Sequence, residues 1–300
     1  MPDQTGQAIS LIGLGHMGSP MAAQWLTAGV GVHGFDVAES ARASLQEAGG
    51  TAYDSAVAAA SATAICILML PDSRIVDAVV SDLIAGDALR AGGIVIDMSS
   101  SEPMRSTENE QRLNALGVRF VDAPVSGGVR GVVAATLAIM VGGDAADVEE
   151  VRPLLEHLGA VTHVGRVGAG HAAKALNNLV SAAHLWMTSE AVLIAERFGI
   201  DRSTMVDVLN ASTGRSVSSE VKWPKFILPG TFDSGFGAAL LSKDARVAAT
   251  LTHELGLPPL LGGQVAELWA RAVGGMSPRA DHTEIARWIE ELYASDREEA

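Results

Sequence analysis

Residues 8–14 form a short apolar run ending in Gly13-Leu14-Gly15-His16-Met17-Gly18, after which Met21, Ala22, Trp25 and Leu26 recur at helical spacing. Strand, tight glycine turn and helix in succession leave few folds open. A second strand, residues 30–35, ends at Asp36, about twenty residues past the glycines, where a dinucleotide-binding fingerprint requires an acid. Gly13 makes the turn, Gly15 lets a pyrophosphate touch backbone, and Gly18 lets helix and strand pack closely. The helix N-terminus then faces the phosphates. The expected cofactor cradle is Gly13, Leu14, Gly15, His16, Met17 and Gly18, with Asp36 beyond it. A carboxylate at Asp36 accepts from a ribose hydroxyl and repels a 2'-phosphate, so NAD is expected over NADP, although Arg42 on the next helix could swing toward a phosphate.

The alternation continues through residue 165. Further strands are expected over 63–69, 93–97, 118–121, 137–141 and 161–164, with helical patterns over 73–80, 103–116 and 144–158. This order predicts a mainly parallel sheet covered on both faces, with ligands beyond the carboxyl ends of the strands. Leu70, Pro71 and Ser100 lie in loops on that side. Ser100 could donate to a cofactor phosphate or ribose, and Ser101 suits a helix cap ahead of Pro103.

From Gly168 onward the strands stop. Gly168 to Asn178 reads Gly-Ala-Gly-His-Ala-Ala-Lys-Ala-Leu-Asn-Asn, and the pattern stays helical through Arg197 without a proline. Such a helix is on the order of 45 Å long. It could join two domains, 1–166 and 167–300, and place Lys174 at their seam. Lys174 and Asn178, four apart, share one helical face, while Gly168 and Gly170 allow another backbone or a ligand to come close. Later helical patterns cover 201–210, 238–255, 260–273 and 283–293, so the second domain should be all helical. The overall expectation is an α/β Rossmann-like N-terminal domain and an all-α C-terminal domain joined by a long helix.

Composition narrows the functional classes. With 48% hydrophobic and 19% charged residues the chain has material for buried cores. Its 21 basic and 35 acidic residues give a net charge of -14, which repels phosphate backbones and anionic lipid, so neither nucleic acid nor membrane is an expected partner. The longest apolar run, 56–70, is interrupted by Ser61 and Thr63 and is too short to span a bilayer. Cys66 is the single cysteine, which excludes an intramolecular disulfide and, with no leader-like N-terminus, points to the cytoplasm. His163, His171 and His184 are too scattered for a metal site, so none is expected. Ser126, Gly127 and Gly128, at the end of the stretch that starts with Asp122, combine a hydroxyl with glycine amides that suit a carboxylate. Lys243-Asp244, after Phe236 and Gly237, reads by default as a charged surface pair.

The stretches from Gly13 to Met21, Asp122 to Gly128 and Gly168 to Asn178, with Lys243-Asp244, occur in an order that resembles the beta-hydroxyacid dehydrogenase family, which includes 3-hydroxyisobutyrate dehydrogenases and tartronate semialdehyde reductases. The resemblance covers nearly the whole chain. It implies that the active site lies between the domains, that Lys174 is the catalytic acid/base, and that Asn178 with Ser126, Gly127 and Gly128 holds substrate. It also implies that Leu70, Pro71, Ser100, Phe236 and Lys243 lie along the cofactor. An amine suits the chemistry, since oxidising a hydroxyl releases a hydride and a proton, and an ammonium stabilises an alkoxide-like oxygen. The expected substrate is a short 3-hydroxy acid or its semialdehyde, of the 3-hydroxyisobutyrate or tartronate semialdehyde type.

The chain also departs from the resemblance. Val217 stands where relatives acting on 3-hydroxyisobutyrate commonly carry tryptophan, and Arg215, Lys222, Trp223 and Arg130 are added nearby. Extra cations would favour a more oxidised or second anionic group over a bare methyl. Ala280-Asp281-His282-Thr283-Glu284 looks more like the tartronate semialdehyde reductase branch. An imine reductase shares the two-domain plan but generally lacks the lysine, and a non-catalytic dinucleotide-binding module would not need the lysine, asparagine and serine together. Apolar residues on the long helix, Leu179, Trp186 and Ile194, suggest an oligomer, and the resemblance implies a homodimer or homotetramer.

Overall fold

A computed structural model describes residues 7–295. The outer ends of the expected domains, and the first six residues read for a leader, lie outside them. Two compact units are present, and the change from one to the next falls between Lys174 and Ala175.

In the first unit β1 (Ala8–Ile12), α1 (Gly18–Thr27), β2 (Gly31–Phe35), α2 (Glu39–Glu47), β3 (Thr51–Ala52), α3 (Ala56–Ala60), β4 (Ile65–Leu68) and α4 (Ser73–Ala85) follow one another. Then come β5 (Ile94–Asp97), α5 (Pro103–Asn114), β6 (Arg119–Asp122), β7 (Val125–Ser126), α6 (Gly128–Val133), β8 (Leu137–Gly142), α7 (Ala145–Glu156) and β9 (Gly159–Gly165). The strand order is β3-β2-β1-β4-β5-β6-β8-β7, with β9 paired to β8. The first six in that order are parallel, the order of a doubly wound nucleotide-binding sheet. β8 runs antiparallel to β6 and β7 and parallel to β9. The sheet is therefore mainly parallel with one reversal, permitted because the short connection through β7 and α6 returns the chain without a full crossover.

Both faces are buried along β1, β4, β5 and β6, where the side chains sort by the two-residue period of a strand, whereas β9 at the far edge is largely exposed. Ile9, Leu11, Ile67, Ile94, Ile96 and Val121 pack on one face with Trp25 of α1 and Leu154 of α7. Ile12, Cys66, Leu68, Val95 and Phe120 pack on the other with Val76, Val80 and Leu83 of α4. Buried Trp25 donates its indole N–H to the Leu154 carbonyl at 2.9 Å, so it is satisfied at its one polar atom. Ser10, pointing toward α3, donates to Ala59 O at 2.6 Å and lies 2.8 Å from the Thr63 hydroxyl. Cys66 is buried, and desolvation pushes its thiol up to about 12, so it is inert core.

α8 (Ala169–Phe198), 30 residues long, carries the passage to the second unit, which continues through α9 (Arg202–Asn210), a π-helical segment (Ser218–Ile227), α10 (Ala238–Glu254), α11 (Leu261–Gly275), a 3₁₀ turn (His282–Glu284) and α12 (Ile285–Ser295). Its core contains Trp186, Trp223, Trp269 and Ile285. Trp186 meets Trp269 and Trp288 edge-on at 6.0 and 5.7 Å. Leu179 and Trp186 therefore belong to this core rather than to an outward face. The outward apolar residues of α8 are Leu176, Val180, Met187, Ile194 and Phe198. No helix among the described residues is long and apolar enough to cross a membrane.

Candidate active site

The glycine turn after β1 is held by its neighbours. Gly13 has φ +101°, and a side chain there would strike the Met69 carbonyl, while one on Gly18 would strike Gly13 O. Gly15 faces open space. Met17 caps α1 without a side-chain bond; Ser19 N donates to Gly15 O at 3.0 Å and Pro20 has no N–H, so what the turn presents beside Gly15 is the positive end of the helix dipole. These features fit a pyrophosphate. Leu14 is buried in the sheet core and contributes its backbone, donating from N to Asp36 Oδ2 at 2.7 Å. Asp36 Oδ1 accepts from Ala38 N at 2.8 Å, and Arg42 donates to the Asp36 carbonyl at 2.7 Å. The carboxylate is thus fixed at the end of β2 with lone pairs left for ribose hydroxyls. His16 is exposed and Met17 half-buried against the core.

The loops after β4 and β5 are tied together. Leu70 N donates to Ser99 Oγ at 2.9 Å, Ser99 N donates to Asp97 Oδ1 at 2.9 Å, and Ser101 Oγ donates to Asp97 Oδ2 at 2.7 Å. Ser101 therefore closes this loop and does not cap α5, whose cap position is Glu102. Pro71, after β4, is exposed, and Ser100, after β5, is half-buried; both stand past the carboxyl ends of their strands.

Asp122, at the end of β6, is fully buried and reaches the start of α8. Its two oxygens accept from Gly168 N at 2.8 Å and His171 N at 2.7 Å. A carboxylate from a distant strand so caps a helix whose own cap residue, a glycine at φ +88°, has no side chain to offer. A Cβ on Gly170 would lie 2.8 Å from Asp122 Oδ2 and 2.9 Å from Asp122 O, and one on Gly142 would meet Asp122 Oδ1. The close approach at Gly168 and Gly170 is thus made by backbone and by this carboxylate. Burial raises the Asp122 pKa, while His171 and the two N–H donors pull it down.

Lys174, one turn beyond Gly170, is only 7% exposed and is not a solvated helix lysine. Asn178 follows one turn later at 6% and donates to Asp244 Oδ2 at 2.6 Å. Asn177 in turn donates to Asn178 Oδ1 at 3.2 Å. Asp244 is buried, so Lys243-Asp244 is no surface pair; the Lys243 ammonium lies 3.3 Å from Asp244 Oδ1. The signal was in the period of α10, where Leu241, Asp244, Ala248 and Leu251 share the buried face. Ser126 is half-buried in β7, and Gly127 and Gly128 follow with φ of +134° and +62°. A positive φ at both positions is backbone that residues with a side chain rarely adopt, which is what glycine allows here.

The remaining candidates divide. Phe236 is held by Asp281, which accepts from Gly235 N, Phe236 N, Ser234 Oγ and Thr283 N, and its ring meets His282 edge-on at 5.5 Å. The Asp281-to-Glu284 stretch is accordingly a capping box that anchors the Phe236 loop. Trp223 is fully buried in the helical core and lends no surface to a pocket. Arg215 is exposed and pairs with Glu220 at 3.4 Å, Arg130 is exposed on α6, and Lys222 lies 5.7 Å from the Phe226 ring. Among the described residues no cluster of three or more His, Cys, Asp or Glu could hold a metal ion. Sequence reasoning did not single out Asp122 or His171 for the positions they hold, because both depend on contacts across 46 and more residues.

Residues 8–167 match the family described as the NAD binding domain of 6-phosphogluconate dehydrogenase, and residues 168–289 that described as the NAD-binding of NADP-dependent 3-hydroxyisobutyrate dehydrogenase. The 2-(hydroxymethyl)glutarate dehydrogenase of Eubacterium barkeri is 36% identical over 272 residues, covering 89% of this chain and 90% of that one. The mitochondrial 3-hydroxyisobutyrate dehydrogenase of Drosophila melanogaster is 37% identical over 264 residues, covering 85% and 80%. Among solved structures, the 3-hydroxyisobutyrate dehydrogenase of Mycobacterium tuberculosis, recorded with L-serine, has a TM-score of 0.89 at 32% identity, covering 94% of this chain and 99% of that one. With a nucleotide-binding sheet, a cradle suited to a dinucleotide and relatives that match almost from end to end, this chain belongs to the beta-hydroxyacid dehydrogenase family and is an NAD-dependent dehydrogenase.

Proposed function

We propose that the protein oxidises the primary alcohol of a 2-substituted 3-hydroxypropanoate to its semialdehyde, or runs the reverse reduction, with Lys174 as acid/base. The single observation that carries this reading is a buried lysine and a buried asparagine one turn apart on α8, behind a helix start locked by Asp122. Lysines are seldom buried, so one held at 7% exposure beside a buried asparagine supports a chemical role.

The substrates named for the relatives support the class. 2-(Hydroxymethyl)glutarate, 3-hydroxyisobutyrate and L-serine, the last named for an NAD-dependent L-serine dehydrogenase of Pseudomonas aeruginosa, all contain HO–CH2–CH(R)–COO⁻ and differ only in R. The constant part asks for a carboxylate site and a group that handles the hydroxyl proton. In this reading the Ser126 hydroxyl and the amides of Gly127 and Gly128 take the carboxylate. The Lys174 amine accepts the hydroxyl proton as the hydride leaves C3, and its ammonium returns that proton in the reduction. Asn178, its amide oriented by Asp244, steadies the reacting oxygen. NAD, when bound along Gly13 to Gly18 and Asp36, supplies or removes the hydride. The balance is alcohol plus NAD⁺ giving aldehyde, NADH and one proton.

Absorbance at 340 nm against L-serine, 3-hydroxyisobutyrate, 2-(hydroxymethyl)glutarate and tartronate semialdehyde tests the reading. One of these acids should turn over with NAD(H), and Lys174→Ala should lower its kcat by roughly 100-fold or more, the usual scale of a general acid/base. Near wild-type turnover in that variant would remove Lys174 from the chemistry.

A further inference from the structure

Lys174 stands three residues after His171 on the first turns of α8, and His171 is almost fully buried, at 1% exposure, without any part in the chemistry above. Its surroundings are unusually polar for a core position. Nε2 lies 3.1 Å from the Ser99 carbonyl, and Nδ1 lies 2.7 Å from Ser106 Oγ on α5. A carbonyl can only accept, so Nε2 carries the hydrogen and donates to Ser99; in the neutral ring Nδ1 then accepts from the Ser106 hydroxyl. Two carboxylates face the ring without direct bonds to it, Asp122 Oδ2 at 3.6 Å and Asp97 Oδ2 at 3.8 Å. The His171 backbone N–H goes to Asp122.

These contacts join three parts of the same unit. Ser99, whose carbonyl accepts from Nε2, also accepts from Leu70 N at Oγ and donates its own N–H to Asp97 Oδ1. Ser106 belongs to α5, which faces Ser99 across the loop that follows β5. The ring therefore links the two loops on the cofactor side of the sheet to the first turn of the lysine helix. Helix geometry carries any rotation of that turn to position 174, because residues three apart lie on neighbouring stations of one face.

We infer that His171 is a positioning residue, which sets the rotation and depth of the first turn of α8 against the Leu70 and Ser99 loops and so aims the Lys174 amine. The inference rests on the acid/base reading of Lys174 but fails separately from it. An apolar side chain of similar bulk would fill the volume and lose both aiming bonds, whereas glutamine can donate to Ser99 and accept from Ser106.

The test uses the full-length enzyme and whichever acid of the panel above turns over fastest. In His171→Leu, kcat should fall by about tenfold to 100-fold, the range expected when a reacting group is misplaced by up to about 1 Å, while KM for NAD stays within about threefold. His171→Gln should recover most of the loss. Ser106→Ala, which leaves the ring in place and removes its Nδ1 partner, should lower kcat in the same direction by a smaller factor, and it serves if the leucine variant does not fold. In a Lys174→Ala background the leucine substitution should cost nothing more in kcat, because the group it aims is gone. A merely structural histidine would instead lower thermal stability equally in both backgrounds and leave the kcat of the folded enzyme unchanged, and that result would overturn the inference. If Lys174→Ala keeps its turnover, the acid/base reading falls and the inference with it. If Lys174→Ala is inactive while both His171→Leu and Ser106→Ala turn over at the wild-type rate, only the inference falls.

Discussion

Gly170→Ala sets two physical effects against each other at the start of α8. Within a helix, alanine is favoured over glycine by about 1 kcal/mol, so helix propensity alone predicts a more stable protein. The space predicts the opposite. The new methyl would stand 2.8 Å from Asp122 Oδ2 and 2.9 Å from Asp122 O, with the Met140 carbonyl nearer still. All of these atoms belong to the sheet or to a buried carboxylate, so none can swing aside as a flexible side chain would. To regain ordinary contact the first turn must back off by roughly half an ångström or more, in an interior packed like a crystal. Overpacking of this kind costs about 1–3 kcal/mol. Stretching the Asp122 bonds to Gly168 N and His171 N weakens two charge-assisted interactions worth about 1.5–3 kcal/mol each. The steric side wins, for a net loss of about 1–4 kcal/mol. At roughly 2–4 °C per kcal/mol for a unit of this size, the first unit should melt several degrees lower. Lys174 rides on the displaced turn, so kcat should drop by about tenfold or more at temperatures where the variant is fully folded. Thermal denaturation followed by circular dichroism, with initial rates at 25 °C on the responsive acid, reads both quantities. A variant that melts higher than wild type and turns over at the same rate would show that helix propensity governs this position and that the contact with the sheet is soft.

Two further expectations concern the cofactor and pH. Asp36→Asn keeps one oxygen for Leu14 N but removes the charge facing the ribose; kcat/KM with NAD should fall by about tenfold to 100-fold, as expected for losing a charged hydrogen bond, and the preference for NAD over NADP should shrink by a similar factor, with Arg42 already bonded to the Asp36 carbonyl. An unchanged preference would move discrimination elsewhere. His282 is pushed down from 6.5 to about 4 by desolvation first and by the Lys222 charge second, with Phe236 O and Asp281 opposing; Thr283 and Glu284 share its turn, and Ser234, from the loop ahead of α10, lies 3.1 Å from Nδ1. Between about pH 4 and pH 6.5 the unfolded chain binds a proton there that the folded chain does not, so stability contributed at neutral pH, about 3 kcal/mol, is lost as pH falls through that window. Urea unfolding from pH 7 to 4.5 should show that slope in wild type and a flatter one in His282→Gln; equal slopes would remove His282 as the cause.

The features legible in the sequence were those that depend on neighbours within one or two turns. Short runs such as 65–68 and 94–96 are apolar on both faces, as a strand covered on both sides requires, and the strand-glycine-helix order set the first fold choice. α8 was readable because nothing from Gly170 to Arg197 breaks a helix. What escaped depends on distant partners. Asp122 and Gly168 are 46 residues apart, and Asn178 and Asp244 are 66 apart, so neither pairing leaves a local pattern. Leu179 and Trp186 fit either an outward or an inward stripe, and only tertiary packing decides for the core, against Trp269 and Trp288 in the case of Trp186. The π-helical segment was missed because Pro224, which has no N–H, signals a break, whereas the wider turn carries the chain past it.

The bond from Asp122 to the start of α8 also bears on which segments of such an enzyme can be exchanged. Ser126, Gly127 and Gly128 stand only a few residues after this acid on the same stretch, and Lys174 stands one turn after the amides that it binds. Seam choice in a chimera therefore decides the outcome. A graft that replaces residues 123–134 leaves the carboxylate and its glycine seats at Gly142 and Gly170 from one parent. A graft that begins inside β6 and ends before β8 takes the acid from one parent and both seats from the other. The first exchanges a substrate loop, and the second resets the register between that loop and the lysine.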